Sequence, residues 1–285
     1  SHLYTGINPK NLSCALGVNA FILASPGTST ADHYYTIKEA LKVSSPKVIV
    51  LETYGINGAD AHEFKDSPLA DQFKSFSARR DLSEKLKSTP SLFTLGNYPY
   101  AWSNTIRNHD FIYNNTEQLD KNVELSKARK KKLKDLYLGR FVRFQTGLTD
   151  SLISLYSKDG APVDGSDFKA NELDKDYVAK LKVLCAENDV KLMFLTLPMY
   201  QSHVKNYQVW KNTVMEVVGT ESNWLDQQDS LGYIGFNRDC FENTYSENQH
   251  MSYPGSLLAT YKLASYMKSI PDVELPNRKK NDKWR

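Results

Sequence analysis

Apolar and polar positions along the chain follow two alternating periods. Residues 19–25 (NAFILAS) form a short continuous apolar run stopped by Pro26-Gly27, which predicts a buried strand with a turn at its end. Thr28, Ser29 or Thr30 can cap a helix running to about Lys42, in which Tyr34, Ile37 and Leu41 recur at helical spacing. Ser45-Pro46 ends it, and residues 47–52 (KVIVLE) predict a second, β-branched strand. Strand, helix and strand within about 35 residues make a βαβ unit, which requires a parallel sheet.

After Gly58 the periods fade. Residues 59–165 are polar, aromatic-rich and helical or irregular, with a long charged helix expected over 122–144, so they read as an insertion within one domain spanning 1–285. The alternation then resumes. An amphipathic helix is expected over 176–188, a third strand over 190–197 stopped by Pro198, and a further helix over 203–218. A closing helix is expected over 256–269, with Leu257, Leu258, Tyr261, Ala264 and Met267 on one stripe. Such alternation predicts an α/β domain, a three-layer doubly wound parallel sheet of flavodoxin-like type with a helical insertion.

Composition narrows the function classes. With 36 basic and 33 acidic residues the net charge is +3, too balanced for a nucleic-acid partner. The basic clusters at 129–134 and 278–285 read as a solvated helix face and a tail. No apolar run is long enough for a transmembrane segment. The chain opens on Ser1-His2 rather than Met and carries no signal peptide, which reads as a trimmed or processed start. Cys14, Cys185 and Cys240 have neither disulfide-framework nor zinc spacing, leaving three thiols or one bridge and a free thiol. No His, Asp and Glu cluster has metal-ligand spacing and no glycine loop fits a nucleotide, so neither metal nor cofactor is expected.

Ligands of an open parallel sheet bind beyond the carboxyl ends of its strands. Those ends carry Ser25-Pro26-Gly27-Thr28-Ser29, Glu52-Thr53-Tyr54-Gly55-Ile56-Asn57-Gly58 and Pro198-Met199-Tyr200-Gln201, and the loop before the last helix carries Glu247 and His250.

These blocks resemble the SGNH hydrolases, the GDSL-like esterases and acetyltransferases named for a serine, a glycine, an asparagine and a histidine in that order. Ser1-His2 is similar to the end of a Gly-Ser-Ser-His first block, Gly27 falls at the second-block glycine, and Gly55-Ile56-Asn57 matches the third block's Gly-X-Asn. His250, in 247–256 (ENQHMSYPGS), matches the fourth block before a small-residue helix start. More narrowly the chain resembles the extracytoplasmic polysaccharide O-acetylation branch, typified by the alginate O-acetylation proteins.

The resemblance implies a serine-dependent esterase or O-acyltransferase acting on small acyl, chiefly acetyl, esters of carbohydrate. Ser1 would be the nucleophile and His250 its base, since an imidazole titrates near neutrality. Glu247, three residues before the histidine, would fix the imidazole tautomer. Gly27 and Asn57 would donate to the oxyanion, each such donor contributing about 3–4 kcal/mol. An acylated carbohydrate or other small ester is the implied ligand, a membrane-bound acyltransferase the implied partner, and the location extracytoplasmic. The chain departs from the pattern in having Glu rather than Asp at 247, Gln249 before the histidine and Gly58 after Asn57.

Other roles stand beside these. Gly27 and Asn57 are both good turn formers. Glu52 at a strand end is either a buried ion-pair partner or a second acid near the site. His250 can cap the last helix, and His33, His62, His109 and His203 read as surface or packing residues. Tyr98, Tyr100, Trp102, Phe111 and Tyr113 either stack on sugar rings or form the insertion's own core. The rival functions are a non-catalytic polysaccharide- or partner-binding protein on the same scaffold, and a flavodoxin-like domain, which the missing phosphate cradle disfavours.

Overall fold

In the computed structural model, which describes residues 2–25, 27–56, 73, 75–77, 79–107, 147–159, 163–242, 250–271, 273 and 275, local capping signals set most helix ends. The short α1 (His2–Gly6) leads into α2 (Pro9–Leu16), with Pro at its start and left-handed Gly17 (φ 68°) at its end. Ser29 opens α3 (Thr30–Leu41) by accepting the Asp32 N–H at 3.3 Å. β1 (Val48–Glu52) follows as expected. The stretch read as an insertion contributes α4 (Leu82–Leu92), α5 (Tyr98–Trp102), α6 (Asn104–Arg107), α7 (Asp150–Asp159) and β2 (Val163–Asp164). The charged helix expected over 122–144 lies outside the described residues.

The second half alternates as predicted, with shifted ends. Asn171 caps α8 (Glu172–Glu187) through the Asp174 N–H at 2.7 Å, so the helix starts before residue 176. β3 (Lys191–Thr196), β4 (Val204–Lys205), α9 (Tyr207–Val218), β5 (Trp224–Asp226) and α10 (Tyr253–Ser269) complete the order. β1, β3 and β5 form a parallel sheet in the order β1-β3-β5, with Glu52 opposite Leu195 and Thr196 opposite Asp226. All three strands therefore deliver the chain to one edge. β2 pairs parallel with β4.

The protein is thus an α/β structure with parallel sheets. β3 shows why its run is apolar throughout. Met193 and Leu195 pack with Ile7, Leu12, Ala259 and Leu263, whereas Leu192 and Phe194 pack with Val178, Leu181, Trp210 and Val214. A third cluster joins Phe73, Phe76, Leu92 and Phe93 to Tyr35 of α3 and Tyr177 of α8, with the Phe73 and Phe93 rings stacked at 4.9 Å. Some aromatics of the 59–165 stretch therefore build a local core. Tyr100 and Trp102 remain 44% and 40% exposed, and Phe111 and Tyr113 lie outside the described residues.

Two expectations change. Residues 19–25 are not a strand, since they take no part in the described ladders. Ile22 is buried, but Phe21 and Leu23 are 66% and 53% exposed, so the run is one-faced rather than buried on both sides. The buried stripe of α10 is Ser256, Ala259, Thr260, Leu263, Ala264 and Met267, while Tyr261 is 51% exposed. Small residues let that helix approach the sheet closely, so the larger apolar ones at its flank mislead. β5, only three residues long, is too short to show a period. Among the described residues no helix is long and apolar enough to cross a membrane. Cys14, Cys185 and Cys240 are all free thiols.

A buried ion pair anchors the third cluster to α3. Asp32 and Arg79, each with a side chain 3% exposed, are hydrogen-bonded, Ser75 donates to the same carboxylate, and the guanidinium lies over Tyr35 at 5.3 Å. Removing one partner strands the other charge. Arg79→Met is expected to destabilise by about 3–5 kcal/mol, and Asp32→Leu with Arg79→Met by much less. Urea midpoints check this; equal losses in the single and double variants would argue against it.

Candidate functional site

The firmest feature lies where the chain enters α10. Phe241 and Met251 form an antiparallel bridge, and the Glu242 N–H donates to the His250 carbonyl at 3.0 Å. The Ser252 N–H donates to the Cys240 carbonyl (3.0 Å) and its hydroxyl to the Asp239 carbonyl (2.7 Å). Gly255 completes the clamp, because a Cβ there would stand 2.0 Å from the Cys240 carbonyl oxygen. This two-stranded ribbon brings two side chains together. His250 Nδ1 lies 2.9 Å from Glu242 Oε1, with the carboxylate residue 2% and the histidine 9% exposed. With the Nδ1 proton donated to the carboxylate, the ring lone pair resides on Nε2, which is the arrangement of a general base held by an acid.

The other loops of the carboxyl edge converge on this pair. The His2 ring, 2% exposed at the start of α1, lies 5.4 Å from the His250 ring and 4.3 Å from that of Tyr54, just beyond β1. Gly6 lets α1 sit on the chain after β3, since a Cβ there would meet the Leu197 side chain at 2.6 Å. Tyr200, farther along that segment, packs its ring on Phe241 at 5.7 Å, next to Glu242.

The turn Thr53–Gly55 joins the remaining parts. The Thr53 hydroxyl bonds that of Thr196 at 2.6 Å, tying the ends of β1 and β3. Gly55 faces His33 of α3 and the Thr28 carbonyl, where a Cβ would stand 3.1 and 3.5 Å away. His33 Nε2 lies 2.9 Å from the Thr28 hydroxyl, and Gly27 is left-handed with φ 58°. Burial holds His33 down at about 4, so its ring is neutral at pH 7.

The structure brings together some of the residues expected from sequence. His250 stands at the edge where three strands end, and the Gly27 loop meets the Gly55 turn. Ser1, Asn57 and Glu247 lie outside the described residues. The carboxylate found on His250 is Glu242, eight residues away, which no turn motif announces. Its signal was an acidic side chain in a locally apolar context, beside Phe241 and close to Cys240. His33, read as a surface or packing residue, links two site loops. His203 is fully buried beside Tyr200, and His62 and His109 lie outside the described residues.

Glu52 faces the backbone N–H groups of Tyr54 and Leu197, and burial pushes its carboxyl up to about 7. The folded chain therefore binds this proton more tightly than the unfolded chain. Its contribution to stability is greatest below the ordinary value of 4.5, falls as pH rises toward about 7, and is constant above. Glu52→Gln is expected to flatten that limb and to raise stability near pH 8 by up to about 3 kcal/mol. Denaturation midpoints at acid and alkaline pH measure it, and an unaltered difference between them would contradict the assignment.

Gly255→Ala forces the ribbon away from α10, with an expected loss of about 2–3 kcal/mol. A His250 side-chain NMR signal that shifts in this variant would show the dyad moving with the clamp; a wild-type spectrum and stability would refute the close approach.

The chain matches no protein-family model and no curated protein, so the chemistry of the site rests on the residues and distances above.

Proposed function

We propose that the protein is a serine-dependent esterase or O-acyltransferase acting on small acyl esters, with His250 as its base and Glu242 as the acid that orients it. The observation that carries this reading is the buried His250–Glu242 pair at the edge where the parallel strands end. His2, which follows Ser1 in the chain, packs its ring by that of His250, and this supports Ser1 as the nucleophile. The reading takes the fold as a three-layer doubly wound sheet of the SGNH kind, supported by the two cores that β3 feeds.

The steps follow from the dyad. The serine hydroxyl attacks the acyl carbonyl carbon as its proton passes to His250 Nε2. The tetrahedral intermediate then collapses, and the leaving alkoxide takes that proton. Water or an acceptor hydroxyl next gives its proton to His250 and attacks the acyl-serine carbonyl; the second tetrahedral intermediate collapses, His250 returns the proton to the departing serine oxygen, and the acid or the new ester is released. Glu242 stabilises the imidazolium in both halves. Gly27 and Asn57 donate to the oxyanion. Glu247, on the loop before His250, is the alternative acid. The acetylated carbohydrate, the membrane-bound acyltransferase partner and the extracytoplasmic location follow the sequence resemblance, and exposed Tyr100 and Trp102 suit stacking on sugar rings.

Hydrolysis of p-nitrophenyl acetate tests the reading. His250→Ala and Ser1→Ala are expected to lower kcat/KM by about 10³-fold or more, and Glu242→Gln by about 10²-fold or more. Equal rates in wild type and His250→Ala would remove the enzyme reading. A full loss in Glu247→Gln with none in Glu242→Gln would return the acid to the turn.

A further inference from the structure

The Gly27 loop and the Gly55 turn are far apart in sequence, and one ring touches both. His33 Nε2 is 2.9 Å from the Thr28 hydroxyl, which also lies 3.3 Å from the Ser25 carbonyl across the turn that holds Gly27. The other side of the ring faces Gly55, whose lack of a Cβ allows the approach. The ring itself stands on a firm mount. The His33 N–H donates to the Ser29 carbonyl at 3.0 Å in the first turn of α3. That turn is pinned by the Thr30 hydroxyl on Asp174 and by the Asp32–Arg79 pair.

We infer that His33 is a positioning residue that sets the spacing of the Gly27 loop against the Gly55 turn, and so aligns the oxyanion side of the site. This rests on the ester-chemistry reading above. His33 touches no reacting atom. Its ring acts through Thr28 on one loop and through Gly55 on the other, as preorganised donors require. A neutral ring suits the task, because it bonds the Thr28 hydroxyl in either tautomer.

The test compares His33→Leu, His33→Gln and Thr28→Val in the full chain. His33→Leu keeps volume without hydrogen bonding, His33→Gln restores a donor and an acceptor, and Thr28→Val removes the hydroxyl alone. Hydrolysis of p-nitrophenyl acetate is expected to lose about ten- to a hundredfold in kcat with little change in KM for His33→Leu and Thr28→Val, and His33→Gln is expected to recover most of it. Amide hydrogen exchange is expected to quicken about tenfold or more at residues 27–29 and at 53–56 together in His33→Leu, with α10 unchanged.

Wild-type kcat in folded Thr28→Val, or equal losses in His33→Gln and His33→Leu, would overturn the inference. Exchange that quickens in only one of the two loops overturns it whatever the ester assay gives. Failure of the ester-chemistry reading is separate, being registered by His250→Ala matching wild type in the same assay.

Discussion

A carboxylate taken out of water must be given a partner, and Glu242 is almost wholly buried. An unpaired ionised carboxylate in that position would cost several kcal/mol. The His250 imidazole meets it at 2.9 Å, and the backbone around both residues is arranged to hold that contact. The Phe241–Met251 bridge sets their register, Ser252 ties the ribbon to residues 239–240, and Gly255 lets α10 begin against the Cys240 carbonyl. The position of α10 over the sheet core is therefore coupled to the pairing of one acid with one base.

The opposite wall of the site depends on a short segment after β1. Glu52 faces backbone N–H groups, Thr53 ties to Thr196, Tyr54 packs on His2, and Gly55 admits His33. Four consecutive residues thus hold three parts of the fold together: the end of β3, α1 and α3. Parallel strands make this economical, because every strand releases its chain at the same edge. The first turn of α3 extends the wall, since Asp32 and Thr30 fix its position while His33 reaches back to Thr28.

The larger elements were legible because their periods were long. α3, β1, α8, β3, α9 and α10 all stand where the apolar pattern put them, with ends shifted by caps such as Asn171 and Ser252. Residues 19–25 misled for a physical reason. A continuous apolar run reads as buried on two faces, but here only one face meets the core and no described strand pairs with it. β5 was invisible because three residues carry no period. The α10 stripe misled because Ser256, Ala259 and Thr260 are buried for their small size rather than for their hydrophobicity.

What the sequence determined by itself was local: alternating strands and helices from β1 onward, glycines at turns, and His250 before a small-residue helix start; the βαβ unit read from residues 19–52 lacks its first strand, and the parallel sheet is built by β1, β3 and β5 instead. Each local feature depends on neighbours within a few turns of chain. The partners of those residues were decided only in three dimensions. Glu242 reaches His250 through a ribbon whose register is set by backbone bonds, and His33 reaches Gly55 across 22 positions. Spacing along the chain encodes what a residue can do, but burial and close approach choose which groups meet, because those depend on how the elements pack.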